Sequence, residues 1–240
     1  DSLRLLCTKN SQRAGELARL LNKTNLERQR IVEEVVLSAR RLVKDTKEII
    51  VLADVRYHEG VIGLAAARLV EEFYRPAIVI SKKGSIAKAS ARSISGFNII
   101  EAIRKLEDYL VEGGGHPMAA GFSINSDKIE DFSKKINEIS ASFLTDEILT
   151  KKLKIDLAIE FRNLGQELLA LVKSFEPTGL GNPTPTFITK SVTIASARVV
   201  GRERTHLKLV LEESGSTLEA IAFGLGGIYQ SFTPETKIDI

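Results

Sequence analysis

The chain has 240 residues, 43% of them hydrophobic and 27% charged, a balance that folds into one large domain or two small ones and excludes a disordered chain. The 34 Lys and Arg against 31 Asp and Glu leave a net charge of only +3, too mild to mark a nucleic-acid binder by charge alone. One Cys and three His exclude a disulfide framework and a Cys-rich zinc site, and the lack of Trp with 6% aromatics keeps any base-stacking platform small.

The longest apolar run, Ile49 to Ala53, is far too short to span a bilayer, and no export signal precedes it. A reducing, cytoplasmic setting without a membrane partner is expected. The chain lacks an initiator Met and reads as a fragment of a longer protein, with Lys237 to Ile240 as an interrupted strand.

In chain order, Ala14, Leu17, Ala18 and Leu21 repeat at helical spacing, Asn22 to Asn25 is expected to pause the helix, and Leu26, Ile31, Val35, Val36 and Ala39 resume it. Ile49 to Ala53 predicts a buried strand, Gly60 to Phe73 a helix, Ala77 to Ser81 a second strand and Ile86 to Ala91 a weaker third. Asn98 with Glu101 predicts a capping box opening a helix whose inner face is Ile99, Ile103, Leu106 and Leu110. The glycines 113–115 are expected to end that unit, Phe122 to Ile124 to form a short strand, and Asp127 with Glu130 to cap a further helix. Strands alternating with helices argue an α/β domain. Beyond it, Leu153, Ile155, Leu157 and Ile159 alternate as a half-buried strand would, Gln166 to Val172 predicts a helix, and the Pro- and Gly-rich stretch Glu176 to Pro185 forbids one. Strands over 187–200, 205–211 and 217–223 then predict a mainly β domain, a small barrel.

The strongest local signal is Gly113-Gly114-Gly115-His116-Pro117. Residues without Cβ let backbone N–H groups approach an anion, and His116 adds a donor; a flexible helix-ending loop is the competing reading. Arg92 offers a phosphate-matching fork and Ser93 a hydroxyl, ahead of the N-terminus at Asn98, whose dipole favours anions. His58, in the strand-to-helix loop Tyr57 to Gly63, either touches a substrate or caps the helix. Asn25, Arg28 and Gln29 share the polar face of the front helix. Arg198, Arg202, Arg204, His206 and Lys208 form a basic cluster that either tracks a nucleic-acid backbone or protects a sheet edge with charge. The three His stand in different contexts, and Asp54 and Asp108 are isolated, so no metal ligand set is assigned.

Together these motifs resemble the C-terminal part of the RecJ single-strand-specific exonucleases of the DHH phosphoesterase superfamily. The resemblance is carried by Leu20 to Gln29, His58 to Gly63, Arg92 to Phe97, Gly113 to Gly121 and Gly179 to Pro185. Tyr57, Ala91 and Ser95 depart from it, standing where Trp, Gly and Pro are common. It implies three segments: residues 1–47 as the end of a DHH domain with a connector helix, 48–148 as a DHH-associated α/β domain, and 149–240 as an OB-like barrel lacking its last strands. It implies 5′ to 3′ hydrolysis of single-stranded DNA with Mn2+ or Mg2+ held by a DHH domain upstream of residue 1, and repair or recombination proteins as partners. In that reading His116 donates to the phosphate being cleaved. Arg92, Ser93, the glycines Gly113, Gly114 and Gly115, His58, Arg28 and Gln29 contact substrate, and Arg198, Arg202, Arg204 and Lys208 contact nucleic acid. A noncatalytic single-strand-binding module and a short-oligonucleotide phosphodiesterase are the alternatives.

Overall fold

The computed structural model describes residues 1–43, 48–179 and 181–240. The boundary expected between residues 47 and 48 falls at undescribed residues, as does Leu180 of the Gly179 to Pro185 stretch. The chain forms two compact units, Asp1–Lys151 and Lys152–Ile240.

The first unit opens with α1 (Ser2–Cys7) and α2 (Ser11–Leu42). α2 is one uninterrupted helix of 32 residues, so the pause expected at Asn22 to Asn25 does not occur. Local bonds replace the missing apolar contacts there. Thr24 Oγ1 donates to the Leu20 carbonyl at 3.0 Å, the Arg28 guanidinium donates to Asn25 Oδ1 at 2.8 Å, and Arg30 bridges Glu27 and Glu34. Leu17 is buried near the start of α2, and the later turns join a larger core: Val35, Val36 and Ala39 are buried against the next helix.

An α/β layer follows. Its elements are β1 (Ile50–Asp54), α3 (Ile62–Phe73), β2 (Ala77–Ser81), β3 (Ile86–Arg92), α4 (Ile99–Arg104), β4 (Leu110–His116), β5 (Ala119–Asn125), α5 (Ile129–Ser140) and α6 (Asp146–Leu149). The strands make a mixed five-stranded sheet in the order β1-β2-β3-β5-β4, with β1 and β2 parallel and the remaining pairs antiparallel. Its two faces carry different cores. On one, Ile62, Ala65, Ala66 and Leu69 of α3 pack with α2 onto Ile50, Leu52, Ala77 and Val79. On the other, α4 and α5 contribute Ile99, Ile103, Phe132 and Ile136 against Ile78, Ile80, Phe122 and Ile124. Burying each Leu, Ile, Val or Phe among them contributes about 1.5–3 kcal/mol. Asn137 ties α5 to the sheet, its Oδ1 accepting from the Ile49 N–H at 2.7 Å.

Three local expectations change. The glycines 113–115 are not a helix-ending loop but the last part of β4, an edge strand paired with β5. α4 is correspondingly short; Leu110 belongs to β4, not to the helix. Asp127 caps nothing: residues 126–128 form a 3-10 turn and α5 starts at Ile129.

The second unit holds β6 (Leu157–Ala158), α7 (Gln166–Lys173), β7 (Phe187–Ile188), β8 (Val192–Val200), β9 (His206–Glu213), β10 (Ser216–Ala222) and β11 (Lys237–Ile238). β8, β9 and β10 form an antiparallel meander, β11 pairs with the free side of β8, and β6–β7 is a separate parallel pair. A register shift between Ile194 and Ser196 curls β8. The result is a half-barrel around Val192, Ile194, Leu207, Leu209, Leu211 and Phe161. The half-buried strand expected over 153–159 shrinks to the two residues of β6, and Leu153, Ile155 and Leu157 are exposed. The strand expected over 187–200 is broken at Ser191, whose φ of 55° is left-handed. The Pro- and Gly-rich stretch is pinned by Asn182, whose Nδ2 donates to the carbonyls of Phe175 and Pro177.

Candidate nucleic-acid interface

On β3 the alternation Ala87, Ala89, Ala91 faces the core, which turns Lys88, Ser90 and Arg92 to the opposite face. The register carries that face across the sheet. Arg92 pairs with Ala119 and Ala119 with His116; Ser90 pairs with Gly121 and Gly121 with Gly114; Lys88 pairs with Ser123 and Ser123 with Glu112. Arg92 and His116 therefore stand in one row on one face, two strands and about 10 Å apart. The next row, Ser90, Gly121 and Gly114, is almost bare of side chains. It floors a groove of about 770 Å³, walled by Lys88, Arg92, Glu112 and the α3 entry at Glu59, Gly60 and Gly63.

The three glycines have separate reasons. A Cβ on Gly115 would lie 2.4 Å from the Ala119 carbonyl oxygen and 2.5 Å from the Ala120 Cα, and one on Gly113 would lie 2.9 Å from the Phe122 Cβ. Those two let the edge strand close onto β5. Gly114 points into the groove, where a Cβ would meet nothing within 4 Å.

Arg92 is held from below. Its Nη1 donates to Ser90 Oγ at 3.2 Å and to its neighbour's carbonyl, Ala91 O, at 2.8 Å. Gly63 makes room for it, since a Cβ there would lie 3.2 Å from Nη2. No carboxylate pairs with Arg92 among the described residues, so its charge is left for a ligand. His116 is exposed and its imidazole makes no hydrogen bond among the described residues. Its backbone is nonetheless fixed. The two-residue turn after it gives the Pro117 carbonyl to the Ile99 N–H and the Met118 carbonyl to the Ser93 N–H, each at 3.0 Å.

The other candidates divide. Ser93 is buried and donates its hydroxyl proton to the Phe97 carbonyl at 2.6 Å, so it shapes the turn below Arg92 and is not offered to a phosphate. The start of α4 is spent likewise: the Ile99 N–H goes to Pro117 and the Glu101 N–H to Asn98 Oδ1. His58 caps its own loop, Nδ1 accepting from the Gly60 N–H at 3.0 Å. Arg28 and Gln29 lie on an exposed stretch of α2, outside the groove lining. The groove lining also includes Lys88, Ser90, Gly63 and Gly121, which residue type alone does not single out; the polar–Ala alternation over 87–92 is the sequence signal for the first two.

Asp54 is not an isolated acid. It accepts from the Arg56 guanidinium at 2.6 Å and from the Arg56 N–H at 2.8 Å, and these bonds hold its carboxyl down at about 2. The folded carboxyl thus binds its proton later than the unfolded one. The stability it contributes is complete above the ordinary value of 3.8 and is lost as pH falls through about 2. Asp54→Ala should flatten that acid limb in urea midpoints measured against pH. The change is small, because Arg56 is exposed, and an unaltered limb would contradict the assignment.

In the second unit Arg198 pairs across with Lys208, and Arg202 and Arg204 sit in the β8–β9 turn. Lys208 is engaged with Glu219 at 2.8 Å, whereas Arg198, Arg202 and Arg204 form no ion pair among the described residues. No group of three or more His, Cys, Asp or Glu able to hold a metal ion occurs among the described residues, and the side chains present do not fit a metal centre. No helix among them is long and apolar enough to cross a membrane.

Comparison with known proteins agrees with both units. Residues 46–142 match the DHHA1 domain and residues 155–240 the RecJ OB domain. The single-stranded-DNA-specific exonuclease RecJ of Bacillus subtilis is 33% identical over all of this chain, which covers 31% of that protein. The RecJ of Haemophilus influenzae is 31% identical over 92% of this chain and 41% of its own length. The crystal structure of RecJ in complex with Mg2+ from Thermus thermophilus superposes with a TM-score of 0.77 at 27% identity, over 92% of this chain and 34% of that one. A Mn2+ complex from the same organism gives the same TM-score, 0.77. The chain thus spans about a third of the length of these relatives. With a DHHA1 domain carrying the groove and an OB domain carrying the free arginines, the chain belongs to the RecJ family of exonucleases and holds their C-terminal DHHA1 and OB regions.

Proposed function

We propose that this chain is the substrate-holding part of a 5′ to 3′ single-stranded-DNA exonuclease. The observation that carries the reading is the row Arg92, Ala119, His116 beside the bare row Ser90, Gly121, Gly114 on one open sheet face. A phosphate laid on the glycine row meets backbone instead of side chains. In the adjacent row it has a planar, unpaired guanidinium at the β3 end, lining the groove, and at the β4 end the exposed imidazole of His116, just outside the lining. Arg92 fixes the strand end, and His116 donates to the phosphate undergoing hydrolysis, where developing charge is greatest. A divalent ion such as Mg2+ or Mn2+, held by residues outside this chain, supplies activation of water. This chain's part is binding and orientation. The OB unit adds Arg198, Arg202 and Arg204 along the strand; Lys208, tied to Glu219, contributes less. The likeness to RecJ supports work in repair or recombination, and a cytoplasmic setting is part of the same proposal.

The test is binding of single-stranded oligonucleotides followed by fluorescence anisotropy across a salt series. The logarithm of affinity should fall linearly with the logarithm of salt concentration, as counterion release requires, and double-stranded DNA should bind more weakly. Equal affinity for duplex, or no salt dependence, would sink the reading.

A further inference from the structure

The outward face of the half-barrel carries an aromatic outside the core. Phe223 follows β10 directly and is 74% exposed. Leu207 pairs with Ala222, so the register sets Phe223 beside His206, whose partner on the far side is Val200. The His206 and Phe223 rings meet edge to face, with centroids 5.3 Å apart. Two residues along each strand, on the same face, stand Arg198, Lys208 and the exposed Ile221. The residues between, Leu207 and Leu209 among them, go to the core.

His206 is locked in this position. Its Nδ1 accepts from the Gly224 N–H at 3.0 Å, and its ring lies against Gly201, where a Cβ would be 3.1 Å from Cδ2. It therefore backs Phe223 as a fixed wall. Beside it the β8–β9 turn projects Arg202 and Arg204, with Glu203 between them as the one carboxylate of that turn. Glu219 on the sheet face is already matched by Lys208. The surroundings of the ring are thus net positive, and the ring itself is apolar, planar and rigidly backed. A ligand that fits both features is an anionic chain bearing flat apolar groups.

We infer that Phe223, backed by His206 at the end of the turn that carries Arg202 and Arg204, is a base-stacking platform for single-stranded nucleic acid. The OB unit then grips a base as well as phosphates. This rests on the nucleic-acid reading above and assigns a residue that charge alone does not reveal. A stacked base contributes to affinity independently of salt, while the arginines account for the salt dependence.

The experiment compares binding of oligothymidine with binding of an abasic strand of equal length, using the 240-residue chain. Phe223→Ala should weaken oligothymidine binding roughly tenfold, leave abasic binding unchanged and keep the salt slope. Phe223→Trp should restore the affinity. Arg202→Ala with Arg204→Ala should weaken both strands and lower the salt slope. Thermal midpoints should not move for Phe223→Ala, since the side chain is outside the core. Unchanged oligothymidine binding by Phe223→Ala, or equal losses on the two strands, overturns the platform and leaves the nucleic-acid reading standing. A chain that binds neither strand overturns both. Concentration-dependent self-association abolished by Phe223→Ala overturns the platform in favour of a contact between copies.

Discussion

Gly115→Ala should destabilise the first unit by about 2–4 kcal/mol, while Gly114→Ala, one residue away in the same strand, should cost almost nothing. The added methyl at 115 lands 2.4 Å from the Ala119 carbonyl oxygen and 2.5 Å from the Ala120 Cα, backbone atoms of the paired strand that cannot swing aside. To relieve the clash β4 must part from β5 at the row beside Arg92, Ala119 and His116. At 114 the same methyl enters open space. Urea unfolding followed by a probe in the first unit separates the two. A Gly115→Ala protein as stable as the parent would show that β4 does not lie this close to β5. The companion change, Gly114→Leu, should keep stability and fill the groove floor, cutting oligonucleotide affinity. The glycine run therefore serves two purposes on alternate residues: closure of the sheet at 113 and 115, and an uncovered backbone at 114.

That division could not be read from the sequence. Three adjacent glycines announce close backbone approach, but they also suppress the periodicity that identifies a strand, so the run reads as a loop. The elements with strong patterns were legible: α3 and α5 from their apolar spacing, β2 from its continuous Ala77 to Ser81 run, and the β8–β9–β10 meander from its alternation. The pause at Asn22 to Asn25 failed because propensity there is outweighed by i,i+3 and i,i+4 bonds and by continuity with a packed helix end. The strand at 153–159 failed because alternation promises a buried face only where another layer covers it, and Leu153 and Ile155 have none. Within the candidate site, Arg92 and His116 stand out by residue type, but their shared row depends on a strand order that is not sequential, β3-β5-β4. The burial of Ser93 is hidden from the sequence for the opposite reason. Its neighbour Arg92 lies at the end of β3, and the chain turns immediately after it, which sends the hydroxyl into the turn.

Arg92→Ala should weaken binding of a 5′-phosphorylated single strand roughly 10- to 100-fold, the range for losing hydrogen bonds to a charged group. The guanidinium has no carboxylate partner among the described residues, so its removal strands no buried charge and stability should hold. The salt slope should fall by about one, and the preference for a 5′ phosphate over a 5′ hydroxyl should disappear with it. Arg92→Lys should recover only part of the affinity. An ammonium keeps the charge but cannot keep both the Ser90 contact and a two-point grip on phosphate. Gly63→Ala tests the same seat indirectly: its methyl would press on Ser90 Oγ at 3.1 Å and Arg92 Nη2 at 3.2 Å, shifting the fork without removing it. His116 separates from Arg92 by the step it serves. In a RecJ-length protein carrying this segment, the proposed role predicts that His116→Ala lowers turnover much more than strand affinity, because in that role its donor acts on charge that develops during hydrolysis. Equal losses in affinity for the two variants, with turnover on bound substrate intact for both, would reduce the pair to a simple anion clamp and take His116 out of the chemistry.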